Sequence, residues 1–254
     1  MISKNSLISY SRLLKKKFRQ EQRKFIVEGI KTIQEGINSN FKCEIIFATN
    51  NFKEANNKII SELIKKNLRV EIIKNIDFQK LCSMVNPQGI SAVFLFPDFN
   101  KKKIEEDSSN LIVCLENISD PGNLGTIIRN CDWFGIKEII LSKNCSDVFS
   151  PKTIRASMGS IFHLTIYEDV DLSTTLALFK NKDYKITCAD LDGENIFGYK
   201  KSEKEVIVFA NEANGPSNYL LSVSDNRITI PKFGKAESLN VASASAIILA
   251  ELTR

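Results

Sequence analysis

The stretch LIVCLENISDPGNLGTIIRN, residues 111–130, decides the fold. Leu111 to Leu115 run apolar without the alternation of a half-exposed strand. Asp120-Pro121-Gly122 then makes a tight turn, and a helical pattern follows. A continuous apolar strand that turns on glycine into a helix is half of a βαβ unit, and the pattern recurs downstream. Strands are predicted at KEIIL (137–141), YKITCA (184–189), EVIVFA (205–210) and RITIP (227–231), with helices over 125–134, 152–159, 172–181 and 239–252. Apolar strands between amphipathic helices predict an α/β domain whose parallel sheet is covered on both faces. In such sheets ligands bind outside the carboxyl ends of the strands, so the loops there carry the chemistry.

Upstream, a smaller alternating pattern predicts a second α/β unit. Leu7, Tyr10, Leu14 and Phe18 recur at helical spacing over Lys4 to Gln22. KFIVEG (24–29), CEIIFAT (43–49), RVEIIK (69–74) and GISAVFLF (89–96) read as strands, with helices between them at 30–38, 52–67 and 75–84. Pro97 opens a charged stretch with almost no apolar content, which predicts a linker at 98–109 between domains 1–97 and 110–254.

Charge is unevenly placed. Residues 1–97 hold 17 Lys and Arg against 8 Asp and Glu, whereas residues 110–254 hold 15 against 18. Basic charge gathered at one end is the footprint of a polyanionic partner such as nucleic acid, although a solvated charge run gives the same count. The basic, Ser-containing start also fits a transit peptide, but it runs directly into the first folded element. No apolar run nears the roughly 18 residues of a membrane span, so a soluble, cytoplasmic protein is expected. Six cysteines without a C-x-x-C pattern read as reduced, mostly buried thiols. With one histidine, His163, a histidine metal cluster is ruled out and no metal site is expected. His163 itself reads as a partnered structural imidazole in the strand-like run SIFHLTIY.

Three loops hold candidate chemistry. In NISDPGNLGTIIRN (117–130), Gly122 and Gly125 permit close backbone approach, and the N–H groups of a helix starting near Gly125 would suit an anion. Arg129 lies one turn further on. An ordinary βα turn reads the same way, and the G-x-G-x-x-G dinucleotide pattern is absent, which counts against a nucleotide-dependent oxidoreductase. In FANEANGPS (209–217), Glu212 stands beyond an apolar strand, as a hydrogen-bond acceptor for a cofactor or as a helix cap. In IPKFGKAESLNVASASAIILAEL (230–252), Ser238 and Asn240 precede a helix of small residues suited to close packing on another segment or another subunit.

In this order, at the ends of successive strands, the three loops resemble the three motifs of the SpoU (TrmH-like) RNA 2′-O-ribose methyltransferases of the SPOUT superfamily. DPGNLGTIIRN with SPKTIRASMGS (150–160) matches the first motif, NEANG the second, and IP-x-x-G-x-x-x-SLNVA the third. FIVEG (25–29) and NPQGISAV (86–93) resemble the family's small RNA-binding domain. The resemblance implies a trefoil-knotted catalytic domain, which periodicity alone never suggests, and a homodimer through the knot. It implies S-adenosylmethionine (AdoMet) as cofactor, held by Ala210, Asn211, Gly215, Ile230 and Leu239. It implies catalytic roles for Asn123, Arg129, Glu212, Ser238 and Asn240. The partner implied is structured RNA, ribosomal in preference to transfer RNA, with phosphate contacts from Lys15, Lys16, Lys17 and Arg19. Two positions depart from the family. Ala210 replaces a common glycine, which would narrow the cofactor pocket and is the one feature favouring a non-catalytic RNA-binding protein. Lys232 replaces a common methionine.

Overall fold

The computed structural model describes residues 2–97, 104, 109–211 and 214–254. These form two compact units. The first comprises residues 2–97 together with Phe149–Phe162, and the second residues 109–148 with His163–Arg254. Most of the expected linker at 98–109 lies outside the described residues.

In the first unit, β1 (Lys24–Glu28), β2 (Cys43–Thr49), β3 (Val70–Ile73) and β4 (Ile90–Leu95) form a mixed sheet in the order β1-β4-β2-β3. Its helices are α1 (Lys4–Ser11), α2 (Lys16–Gln22), α3 (Ile30–Asn38), α4 (Asn50–Ala55), α5 (Asn57–Lys65) and α6 (Asn75–Gln79). Alternation sorts the strand residues. Ile26, Ile45, Phe47 and Val93 join Leu7, Leu13, Phe78 and Leu81 in one buried cluster. Phe25 and Phe94 point the other way, into an aromatic group that includes Phe149 and Phe162, with ring centroids 4.6 Å apart for Phe25–Phe149 and 5.2 Å for Phe94–Phe162. Burying a phenylalanine is worth about 1.5–3 kcal/mol, so these two rings explain why 149–162 docks here and not on the second sheet. The expected division at 110 is interrupted at that one place.

The single helix expected over Lys4 to Gln22 is instead two helices around a 3-10 turn, Arg12–Leu14, with Lys15 extended at φ −103° and ψ 134°. The break turns Leu13, rather than Leu14, fully inward. Arg19 staples it: Nη1 donates to the Leu13 carbonyl at 2.7 Å, and the residue is buried. Likewise the helix expected over 52–67 breaks at Asn56, whose side chain donates to the Phe52 carbonyl at 3.1 Å.

The second unit is a six-stranded sheet in which every pairing is parallel. Its elements begin with β5 (Leu111–Glu116), α7 (Pro121–Trp133) and β6 (Glu138–Ser142). After α8 (Pro151–Ser157), which packs with the first unit, come β7 (Thr165–Val170), α9 (Leu172–Lys180), β8 (Lys185–Asn195), β9 (Glu205–Ala210), α10 (Asn218–Val223), β10 (Asn226–Thr229) and α11 (Val241–Leu252). The order is β10-β8-β9-β5-β6-β7. Both faces are covered. Ile112, Cys114, Val206 and Val208 pack with Leu172, Leu176, Phe179 and Leu220 of α9 and α10, while Val113, Leu115, Ile207 and Phe209 are equally buried. On that second face α11 lies against α7 and β9. One element, α10, exceeds the expectation, and of the strand-like run at 160–167 only Thr165 onward is strand, in β7, because Ser160–Phe162 form a 3-10 turn. His163 sits in the turn before β7, its Nδ1 2.9 Å from Asp132 Oδ2.

β8 and β10 meet in an unusual way. Arg227 pairs with Cys188 but the next residue, Ile228, pairs with Glu194, so residues 189–193 loop out of the ladder. Where the chain returns, Gly193 lies so close to β10 that a Cβ on it would stand 2.5 Å from the backbone N and C of Ile228. A side chain here has no room.

Candidate active site

Loops after β5, β9 and β10 build the site. After β5, the helix begins at Pro121, four residues earlier than the sequence pattern indicates. Asp120 caps it, Oδ1 accepting from the amides of Gly122 (2.7 Å) and Asn123 (2.9 Å), and proline fills the first helical position. Gly125 is therefore buried inside α7, and the expected anion site at a helix start there is not formed. Arg129 stands two turns into α7 on its exposed face, without a hydrogen bond or ion pair among the described residues.

After β9, the chain folds back on itself. Gly215, at φ 63°, donates to the Asn211 carbonyl at 2.9 Å, and the Asn214 amide donates to Asn211 Oδ1 at 3.2 Å. Glu212, between them, lies outside the described residues. Asn211 Nδ2 donates to the Asn117 carbonyl at 2.9 Å, so its side chain ties the second loop to the first. A neighbouring tie is Glu116, the last residue of β5, buried and accepting from Ser217 N (2.9 Å) and Oγ (2.6 Å). Neither tie was identified from sequence. The signal was a carboxylate ending an apolar strand, since a buried charge demands partners.

After β10, residues 232–240 are all exposed, and Asn240 then caps α11, Oδ1 accepting from Ala242 N at 2.9 Å. Asn240 Nδ2 donates to Asn123 Oδ1 at 3.0 Å, joining the first and third loops. Asn130, also unforeseen, locks the two helices by donating to the Ala242 carbonyl (2.8 Å) and to buried Ser245 Oγ (2.9 Å).

Between these loops is a cleft of about 720 Å³ at the carboxyl ends of β8, β9 and β10. All five expected cofactor positions, Ala210, Asn211, Gly215, Ile230 and Leu239, line it, as does Ser238. Leu191, Phe209, Ile228, Val241 and Ile248 add apolar walls, and Asp190 lies at the margin, ion-paired to Arg227 at 3.2 Å. Burial pushes the nearby Cys188 thiol up to about 12, with the Asp190 and Glu116 charges adding to the shift, so it stays a protonated, inert group. Ala210 also belongs to the buried core cluster, so its methyl is absorbed by the sheet's packing. Arg129, Asn123 and Asn240 are not cleft-lining residues; the two asparagines are paired beside it.

Of the expected phosphate contacts, Lys15, Lys16 and Lys17 are exposed on the first unit. Arg19 is not available for this role, because burial and its bond to Leu13 commit it to the 3-10 turn.

A parallel sheet with a mostly apolar cleft at its strand ends, sized within the usual 300–1,000 Å³ for a small organic ligand, defines a cofactor-binding α/β protein. Comparison with known proteins narrows this. The sequence profile of the SpoU rRNA Methylase family matches residues 110–250, and that of an MRM3-like substrate binding domain matches residues 5–92. The chain belongs to the SpoU rRNA methylase family. It is 28% identical over 244 residues to the Bacillus subtilis 23S rRNA (guanosine(2553)-2'-O)-methyltransferase RlmP, covering 96% of this chain and 94% of that protein. Among solved structures, a putative RNA methyltransferase of the TrmH family from Porphyromonas gingivalis matches with a TM-score of 0.85 at 30% identity, covering 99% and 98% of the two chains. An AdoMet-bound rRNA methyltransferase from Sinorhizobium meliloti matches with a TM-score of 0.84 at 26% identity, covering 99% and 95%. No helix among the described residues is long and apolar enough to cross a membrane.

Proposed function

We propose that this protein transfers a methyl group from AdoMet to a ribose 2′-hydroxyl of ribosomal RNA, acting as a cytoplasmic homodimer. The observation that carries the proposal is the convergence of Ala210, Asn211, Gly215, Ile230, Ser238 and Leu239, drawn from two separate loops, on one cleft. The cleft fits the cofactor. It offers apolar side chains for a flat base and backbone at 228–231, 210–211 and 214–215 for hydrogen bonds.

When bound, AdoMet supplies a methyl group on a sulfonium leaving group. The protein must then align the ribose oxygen and stabilise the charge it gains on losing its proton. Arg129 is suited to that role, because the fork of its guanidinium matches a phosphate or developing alkoxide. Asn123 and Asn240, held together at 3.0 Å, position the nucleotide from one side, with Ser238 on the cleft wall. Glu212 completes the set as an acceptor in the second loop.

The looped-out 189–193, with β10 pressed against Gly193, supports a trefoil knot in which the last segments pass through the chain. A homodimer is supported by α11. Its sequence VASASAIILAEL carries one charge, and Ser243 and Ala250 are exposed beside half-buried Ala246 and Ile247, while Trp133 at the end of neighbouring α7 is 81% exposed. Small and apolar residues left exposed beside a bare indole are the surface of an interface. The domains proposed are 1–97 for RNA, with 149–162 packed against it, and 110–254 for catalysis.

The test is mass spectrometry of nucleosides after incubating the protein with AdoMet and unmodified ribosomal or transfer RNA. A new 2′-O-methylnucleoside in ribosomal RNA is expected. AdoMet binding with no product on any RNA would favour the non-catalytic RNA-binding protein.

A further inference from the structure

Two arginines of the first unit are used in opposite ways. Arg19 is buried and donates to a carbonyl. Arg155, on α8, is exposed and makes no ion pair among the described residues. Its support is nevertheless well built. α8 is fixed at one end by Phe149 and at the other by Phe162, is capped by Ser150, whose Oγ accepts from Thr153 N at 3.2 Å, and buries Thr153, Ile154 and Ser157. That leaves Lys152 and Arg155 on the outside, one turn apart, on a helix with no acidic residue.

Arg155 Nη1 donates to Ser83 Oγ at 3.3 Å. Ser83 is held in turn by Glu28 at the end of β1, whose Oε1 accepts both its amide (2.8 Å) and its hydroxyl (2.7 Å). With its one proton given to Glu28, the Ser83 oxygen faces Arg155 purely as an acceptor. The guanidinium is thus aimed by a neutral, weak partner, and most of its donors and its full charge remain for something else. A purely structural arginine would be expected to pair with a carboxylate or be consumed as Arg19 is.

We propose that Arg155, oriented through Ser83 and Glu28, grips a phosphate of the RNA substrate on the first unit. This rests on the RNA methyltransferase reading above and adds to it a binding residue that sequence position alone places in the catalytic domain. A fixed fork matches phosphate geometry, and pre-orientation lowers the entropy lost on binding.

The experiment uses the full chain and an unmodified 23S ribosomal RNA transcript, with affinity measured over about 50–200 mM salt, beside AdoMet affinity and thermal melting. The informative variant is Arg155→Gln, which keeps a donor for Ser83 and removes the charge. It is expected to weaken RNA binding about tenfold and to lower the salt slope by about one, with AdoMet affinity and melting unchanged. Arg155→Lys is expected to recover the slope. Wild-type affinity and slope in Arg155→Gln would overturn the proposal. So would a pattern in which Arg155→Ala loses both melting temperature and binding while Gln keeps both, since that is a structural tie. If the wild-type protein methylates the transcript and Arg155→Gln does so with equal affinity, only this inference falls. If the wild-type protein does not bind the transcript at all, both it and the functional reading fall.

Discussion

Replacing Gly193 by alanine puts a methyl group 2.5 Å from the N and C atoms of Ile228. Carbon atoms pack at about 3.5–4.0 Å, so the two backbone segments must separate by about 1 Å. No flexible side chain can yield, because the atoms in the way are main chain. Overpacking of this kind costs about 1–3 kcal/mol, and the backbone obstacle argues for the upper end. For a protein of this size each kcal/mol lowers Tm by about 2–4 °C, so a fall of about 6–12 °C is expected. Because Ile228 and Ile230 form one wall of the cleft, the same displacement should weaken AdoMet binding by about tenfold or more. Differential scanning calorimetry and isothermal titration calorimetry read the two effects. Gly198→Ala is the control, since a Cβ there meets nothing within 4 Å. A Gly193→Ala protein that melts and binds AdoMet as the wild type does would refute the close-packing argument.

Arg129→Ala should lower methyl transfer by about two to three orders of magnitude with AdoMet affinity retained; equal turnover on ribosomal RNA would remove Arg129 from the mechanism. Asn240→Ala deletes both the bond to Asn123 and the α11 cap, so about 1 kcal/mol of stability and most activity should go together, checked by melting and turnover. Exchanging Lys15, Lys16 and Lys17 for alanine should reduce the salt slope of RNA binding by about two units without altering the melt. An unchanged slope would make them a solvated face. Burial pushes the Cys114 and Cys131 thiols well above their ordinary value. Only the thiolate is alkylated, so at pH 8 iodoacetamide should modify them after unfolding and not before; rapid labelling in native protein would contradict the packing.

Long apolar strands were legible because parallel strands buried on both faces leave a periodicity-free apolar block: LIVCLE and EVIVFA became β5 and β9 with no change of bounds. β7 was legible only in part: Thr165, Ile166 and Tyr167 end the strand-like run SIFHLTIY, whereas Glu168 and Asp169, which continue the strand, turn to solvent. The α7 start was misplaced because Gly122 and Gly125 look like turn residues, whereas Asp120 and Pro121 begin the helix before them. In the first unit, the regular spacing of Leu7, Tyr10, Leu14 and Phe18 hid a 3-10 turn that a buried arginine makes stable. The cofactor positions were readable only through family resemblance. Their convergence depends on strands far apart in sequence, and the asparagine ties that set it, Asn211 to Asn117 and Asn240 to Asn123, leave no local pattern.

Deleting residues 1–23 would not isolate the contribution of their charge to RNA binding. Leu7 and Leu13 are core residues of the first unit, so removing them would unfold what the experiment intends to discharge. Surface lysine exchange keeps the core and isolates the electrostatics.

The placement of β10 beside β8 also constrains biosynthesis. Strands β5 to β9 can assemble while residues 226–254 are still within the ribosome, but the cleft cannot, because one wall and the Asn240 cap come from that late segment. A nascent chain therefore carries an apolar, half-built pocket until β10 docks against Gly193. The complete cleft exists only after that docking, so AdoMet, binding there, would stabilise the docked strand against release.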